Sequence, residues 1–259
     1  MENLLSLDDI KKIEIGILDY VVSICEKHNL RYYLMYGTLI GAIRHKGFIP
    51  WDDDIDIMMP RPDYEKLLDI SASSPNSRYQ LLSSRDNGYL YGFAKIVDKQ
   101  TEIVDETIEK IPGLGIWVDV FPYDGMTNKT SWNNKFCYFL NKFRGAAVYK
   151  EFPQGKGATY LTWKLCRLIG YRLFLNLYER FCKSIPYDSS KYVGLISDML
   201  DYHERALFSQ TTKVEFEGKK YDAPIGYDKV LRNYYGDYMQ LPPEDQRQTH
   251  HIKAILKSN

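Results

Sequence analysis

The 259-residue sequence contains no run of about eighteen or more apolar residues, so no membrane-spanning helix is expected. It has no charge excess either. Lys+Arg and Asp+Glu stand at 34 each, which excludes a chain-wide attraction to nucleic acid and leaves only local basic patches. The four cysteines, Cys25, Cys137, Cys166 and Cys182, are scattered, without a Cys-x-x-Cys pair or a histidine at zinc-finger spacing. Free thiols in a reducing compartment are the expectation. No signal peptide is visible, because Met1-Glu-Asn runs into acidic, amphipathic sequence. A cytoplasmic protein is therefore expected. No internal repeat or low-complexity segment appears.

What is present is an ordinary globular composition, 44% hydrophobic and 26% charged, with an unusual 22 tyrosines. Tyrosine suits a saccharide or nucleotide binder and is equally a good half-buried residue. The chain is organised around residues 36–57. Gly37-Thr38 precedes an apolar stretch ending in the basic cluster Arg44, His45 and Lys46; Pro50-Trp51 then leads into Asp52, Asp53, Asp54 and Asp56. On a strand, Asp52, Asp54 and Asp56 point one way and Asp53, Ile55 and Ile57 the other. Carboxylates gathered on one face repel unless a divalent cation sits between them, and oxygen-only ligands suit Mg²⁺ or Mn²⁺. A helix from Leu39 to Arg44 after a Gly37-Thr38 turn would present free N–H groups to an anion. Phosphate beside a carboxylate-held metal is the geometry of phosphoryl transfer. Alone, Gly-Thr is commonly a plain turn and Asp-x-Asp a plain surface motif; their combination within apolar sequence has no simple structural explanation.

Residues 36–59 closely resemble the signature of the LicD family, within the nucleotidyltransferase-fold superfamily. Gly37-Thr38 resembles the superfamily's Gly-Ser/Thr motif, and Asp54-Ile55-Asp56-Ile57 its metal-binding motif; the linker from Arg44 to Asp54 narrows the likeness to LicD. The resemblance is clear again at 113–124 and 221–251 and thin between. It implies transfer of a phosphocholine or polyol-phosphate group from a CDP-linked donor to the hydroxyl of a cell-surface glycan or its lipid-linked precursor. By the same resemblance, Asp119, in the apolar run Val118–Val120, would complete the metal site and is a candidate to take the acceptor's proton. A structural Asp119 bonded to the Gly113–Gly115 loop is the alternative. Asp124 reads as a turn residue. Lys95, within the strand Leu90–Val97, reads either as a phosphate-site lysine or as a solvated edge residue.

Periodicity supplies the rest. Ser6 to Asp9 is a capping box for a helix carrying Ile10, Ile13, Ile17, Val21, Ile24 and His28, to which no chemistry is assigned. Strands are expected at Arg31–Tyr36, Asp54–Met58, Tyr79–Ser83 and Leu90–Val97, with a helix from Arg61 to about Ile70 and a loop from Ser71 to Ser77. Ser131–Lys150 and Thr159–Lys183 read as two helices split at Phe152–Gly157. Both mix apolar residues with bases, which permits peripheral contact with an anionic membrane face or plain packing on a core. Ser189–Asp201 reads as another short helix, Val214–Pro224 as a hairpin turning at Glu217-Gly218, and Gly226–Gly236 as a helix with its glycine stop. His250 and His251 read as exposed tail residues.

The expected fold is α+β: a nucleotidyltransferase-like mixed sheet with flanking helices over residues 1–125, then a mostly helical region, 126–259, as a candidate acceptor-binding part. In the expected site Asp52, Asp54, Asp56 and Asp119 hold Mg²⁺ or Mn²⁺, while Gly37, Thr38, Arg44, Lys46 and Lys95 bind substrate phosphate. Two other classes stay open: nucleotidyl transfer from an NTP to a small-molecule or protein hydroxyl, and a non-catalytic glycan- or nucleotide-binding module.

Overall fold

In the computed structural model, residues 4–105, 110–128, 131–148, 158–196, 201–247 and 252–257 are described. The chain opens with α1 (Leu7–His28), capped by the Ser6–Asp9 box as its sequence requires. Next come β1 (Tyr33–Leu34), α2 (Tyr36–Arg44), β2 (Asp56–Pro60), α3 (Arg61–Ser73), β3 (Tyr79–Leu82), β4 (Ala94–Asp98), β5 (Thr101–Ile103) and β6 (Trp117–Met126). The second half carries α4 (Trp132–Val148), α5 (Ala158–Ile169), α6 (Tyr171–Cys182), β7 (Tyr192–Gly194), β8 (His203–Glu204), the hairpin β9 (Thr211–Phe216) and β10 (Lys219–Pro224), α7 (Tyr227–Tyr235) and β11 (Ala254–Leu256). The expected α+β class is what forms.

The main sheet runs β1-β2-β6-β4-β3, with β7 on the far end of β6 and β8 on β7. β2 and β6 are parallel; the other pairs are antiparallel. β6 is the axis, almost wholly buried because strands flank it on both sides. α1 and α3 pack against this sheet. One core takes residues from Ile10 through Ile57, Val120 and Phe208 to Ala254, so both halves of the chain contribute to it. A smaller core joins α4, α5 and α6 around Cys137, Cys166, Leu175 and Cys182. All four cysteines are free and buried.

Several boundaries move. The first motif strand is only Tyr33–Leu34, and the helix begins at Tyr36, with Gly37 and Thr38 inside its first turn. The turn is instead made by Tyr36, which takes φ 50°. α3 runs through Ser73, three residues past its expected end. His28 is exposed rather than on the apolar face of α1. The single helix expected over Thr159–Lys183 is two, because Gly170, at φ 87°, turns the chain between α5 and α6. The helix expected over Ser189–Asp201 is not what forms: Tyr192–Gly194 adds a strand to the open end of β6. Three short pairings there outweigh a weak helical period. The β9–β10 hairpin and α7, bounded by Gly226 and Gly236, form as expected, the hairpin turning on Glu217 (φ 48°) and Gly218 (φ 75°). The expected break at Phe152–Gly157, and His250 and His251, lie outside the described residues.

Candidate active site

Strand register builds the centre. Asp56 on β2 lies directly opposite Asp119 on β6, and Asp119 lies opposite Lys95 on β4. Residues in register share a face, so three side chains distant in sequence form one row across three strands. The Lys95 ammonium donates to Asp119 Oδ1 at 2.6 Å, and the Trp117 indole N–H to Asp119 Oδ2 at 3.1 Å. Lys95 is buried on an interior strand, which removes the solvated-edge reading. It stands 4.1 Å from the Trp117 ring centroid and 5.3 Å from those of Tyr91 and Phe93, an aromatic enclosure for its charge. Asp119 is thus tied to a lysine and an indole rather than to the Gly113–Gly115 loop.

Asp52 and Asp54 are not on the strand, which starts only at Asp56; the strict alternation expected over 52–56 gives way to an extended loop. The loop still brings the acids together. Burial, then the charges of Asp54, Asp119 and Asp52, push the Asp56 carboxyl well above its usual range, with Lys95 opposing. Gly37 explains where Asp52 lies. A Cβ at position 37 would stand 2.5 Å from Asp52 Oδ2, so glycine lets that carboxylate rest against the first turn of α2. Thr38 is buried, and its hydroxyl accepts the Asp56 backbone N–H at 2.8 Å, fixing the start of the acidic strand.

The two basic residues expected as phosphate clamps are placed differently from each other. Arg44 donates to the Tyr238 carbonyl at 2.6 Å and to His45 Nε2 at 2.9 Å. It lines a cleft of about 440 Å³ with Ile40, Trp51 and Tyr235. That cleft lies next to the acidic segment, since Trp51 in its wall directly precedes Asp52. Lys46 is exposed, at φ 62°, and its carbonyl accepts from Glu217 of the hairpin turn at 2.9 Å. Asp124 is no turn residue: it is buried in β6 and bound at both oxygens by Arg61, at 2.6 and 2.8 Å.

Two features escaped the sequence reading. Glu14, on the apolar stripe of α1, is 1% exposed, and its Oε2 has no hydrogen-bond partner. Burial, then the charges of Asp54, Asp53, Asp119 and Asp52, push its carboxyl well above the usual range. The visible signal was one acid within Ile10, Glu14, Ile17, Leu18 and Val21. The second is Asp201, fully buried, which accepts from the hydroxyls of Tyr36 and Tyr123 and lies 3.0 Å from His203 Nε2. No local pattern marks it.

Among the described residues no group of three or more His, Cys, Asp or Glu side chains stands converged as a ready ligand set. The donor chemistry nevertheless fits a hard divalent cation: Asp52, Asp54, Asp56 and Asp119 offer oxygens only, and Glu14 adds a buried oxygen without a partner. Lys95 is paired with Asp119 of this group.

The comparisons with known proteins fit this geometry. Residues 29–153 match the family described as LicD/FKTN/FKRP, nucleotidyltransferase domain. The chain is 35% identical over 265 residues to the lipopolysaccharide cholinephosphotransferase LicD of Haemophilus influenzae, covering 96% of this chain and 97% of that protein. The chain belongs to the LicD family. It is also 50% identical over 38 residues to the ribitol 5-phosphate transferase FKRP of human and of mouse, covering 15% of this chain and 8% of each of those proteins. The acidic row therefore belongs to a LicD-family chain homologous to a transferase, and Glu14 and Asp201 lie outside the residues that match the family. Among the described residues no helix is long and apolar enough to cross a membrane.

Proposed function

We propose that the protein transfers a substituted phosphate, phosphocholine or a polyol phosphate, from a CDP-activated donor to a hydroxyl of a cell-surface glycan or its lipid-linked precursor. The observation that carries this reading is the row Asp56–Asp119–Lys95, joined by Asp52 and Asp54, in a chain alignable end to end with a cholinephosphotransferase. Phosphocholine is favoured over ribitol phosphate because the likeness to the ribitol transferase is confined to 38 residues.

In this reading Asp52, Asp54, Asp56 and Asp119 hold Mg²⁺ or Mn²⁺. Bound there, the cation would neutralise the diphosphate and the departing CMP. The acceptor oxygen forms a bond to the phosphorus that carries choline, and the P–O bond to CMP breaks. The acceptor's proton passes to a carboxylate of the centre; Asp119, oriented by Lys95 and Trp117, is our candidate for it. Lys95 keeps positive charge beside the reacting phosphate. Gly37 and Thr38 shape the first turn of α2 and anchor the acidic strand. The cleft between Trp51 and Tyr235 gives a substrate ring room beside the carboxylates. The reaction runs on the cytoplasmic side of the membrane, where nucleotide-activated donors are made.

The test is a panel of CDP-choline, CDP-ribitol, CDP-glycerol, CTP and ATP with Mg²⁺ or Mn²⁺, read by thermal shift and product release. Metal-dependent CMP release from one CDP-linked donor, lost in Asp54→Asn with the fold intact, is expected. Pyrophosphate from a free NTP would move the reaction to nucleotidyl transfer. Unchanged turnover in Asp54→Asn, with metal still required, would remove that residue from the metal site.

A further inference from the structure

α5 turns a leucine stripe to solvent. Leu161, Leu165 and Leu168, spaced one and two turns apart on one side of the helix, are 69%, 54% and 84% exposed. Ile169 and Leu173 extend the stripe towards α6, and Phe139 and Trp132 stand exposed on α4. The opposite side of α5 holds the packing, through the buried Cys166. Single exposed leucines are common, whereas a contiguous apolar patch marks a contact surface.

The charge around the stripe identifies what covers it. α4, α5 and α6 carry seven lysines and arginines and one acid, Glu179. Glu179 is itself buried against Arg61 and Lys183. In a chain with no net charge, this is a strong local excess. Lys164 and Arg167 are exposed on the flank of the leucine stripe, and Lys142 is exposed on the neighbouring α4. A second copy of the same face would bring like charges together, and a polynucleotide offers nothing to bury leucines. An anionic lipid surface offers both hydrocarbon and negative charge.

We propose that α5, flanked by α4 and α6, is a peripheral docking face that lies in the interface of an anionic bilayer, with Leu161, Leu165 and Leu168 in the acyl boundary and Lys164 and Arg167 at the headgroups. The neighbouring α4 reaches towards the acidic centre. Arg144 of α4 donates to the Leu90 carbonyl and stacks on Tyr91, whose ring also faces Lys95. The inference stands on the surface alone and is independent of the phosphotransfer reading.

The test is co-sedimentation of the full-length protein with vesicles of phosphatidylcholine, alone and mixed with phosphatidylglycerol, at low and high salt. Binding to the mixed vesicles, weakened by salt and absent with phosphatidylcholine alone, is expected. Leu161→Ser/Leu165→Ser/Leu168→Ser should lower the vesicle affinity by at least about tenfold, and Lys164→Gln/Arg167→Gln by a similar factor. Melting temperatures should hold, since these side chains already face water. No binding to the mixed vesicles, binding unchanged in the leucine variant, or a dimer in light scattering that the leucine variant dissolves would each overturn the proposal.

Discussion

Arg61→Met tests how the two strands bearing Asp56 and Asp119 are held together. Arg61 follows β2 directly and Asp124 lies on β6, so their ion pair fastens the two parallel strands just beyond the acidic row. Arg61 is 6% exposed and Asp124 1%, and Glu65 and Glu179 complete the guanidinium's partners at 3.2 and 3.3 Å. Methionine fills a similar volume without charge. The variant leaves a buried carboxylate without its counter-charge, a loss of about 3–5 kcal/mol. For a chain of this size that is about 6–20 °C in melting temperature. The pH dependence has a defined sign. Burial pushes the Asp124 carboxyl up to about 6, with Arg61 holding it down. A carboxyl raised in the folded state costs stability as pH rises from its ordinary range through the folded value. Removing Arg61 raises that value further, so the variant goes on losing stability above pH 6, where the native protein no longer does. The melting-temperature gap should therefore widen from pH 5 to pH 8. Asp124→Asn combined with Arg61→Met should cost less than the sum of the two single changes. A gap under about 1 kcal/mol, or one that closes towards pH 8, would refute the buried-pair argument.

Three further outcomes are expected. Lys95→Met strips Asp119 of its ion pair amid like charges; melts should fall by about 3 kcal/mol and CMP release by about a hundredfold, both measurable on one preparation. Glu14→Gln should fold and should gain stability over the native protein as pH is raised from 5 to 8, because it deletes a carboxyl that folding forces above its ordinary range; an unchanged difference across that interval would refute a carboxyl raised by burial. A thiol reagent should find none of the four cysteines in the native protein and all four in guanidinium, while rapid native labelling would contradict their burial.

The motif at residues 36–57 was legible because its pattern is local: Gly37-Thr38, a basic cluster, and acids leading into apolar residues; that Gly37 makes room for the Asp52 carboxylate was not. The α1 cap, the β9–β10 turn and the glycine-bounded α7 were legible for the same reason, each being set by a few neighbouring residues. The row itself was not. That Lys95 meets Asp119 depends on which strands pair and in what register, and neither strand states its partner. Glu14 was masked by its helix, since the periodicity that locates a buried face does not say what that face touches. β7 was misread because a three-residue strand exists only through the open end of β6. Asp52 and Asp54 were placed near Asp56 by a strand argument, yet an extended loop brings them there.

Asp201 sets a condition on dividing this chain. The family match ends at residue 153, and the Tyr36 and Tyr123 hydroxyls that Asp201 receives both lie before that point. A fragment cut there would keep every motif carboxylate from Asp52 to Asp119 and lose the acceptor that fixes Tyr36 at the mouth of α2. Such a piece would carry the motif's acids without the tether that holds Tyr36 beside them. Exchanges of the second half between relatives must therefore bring along an acid at this depth.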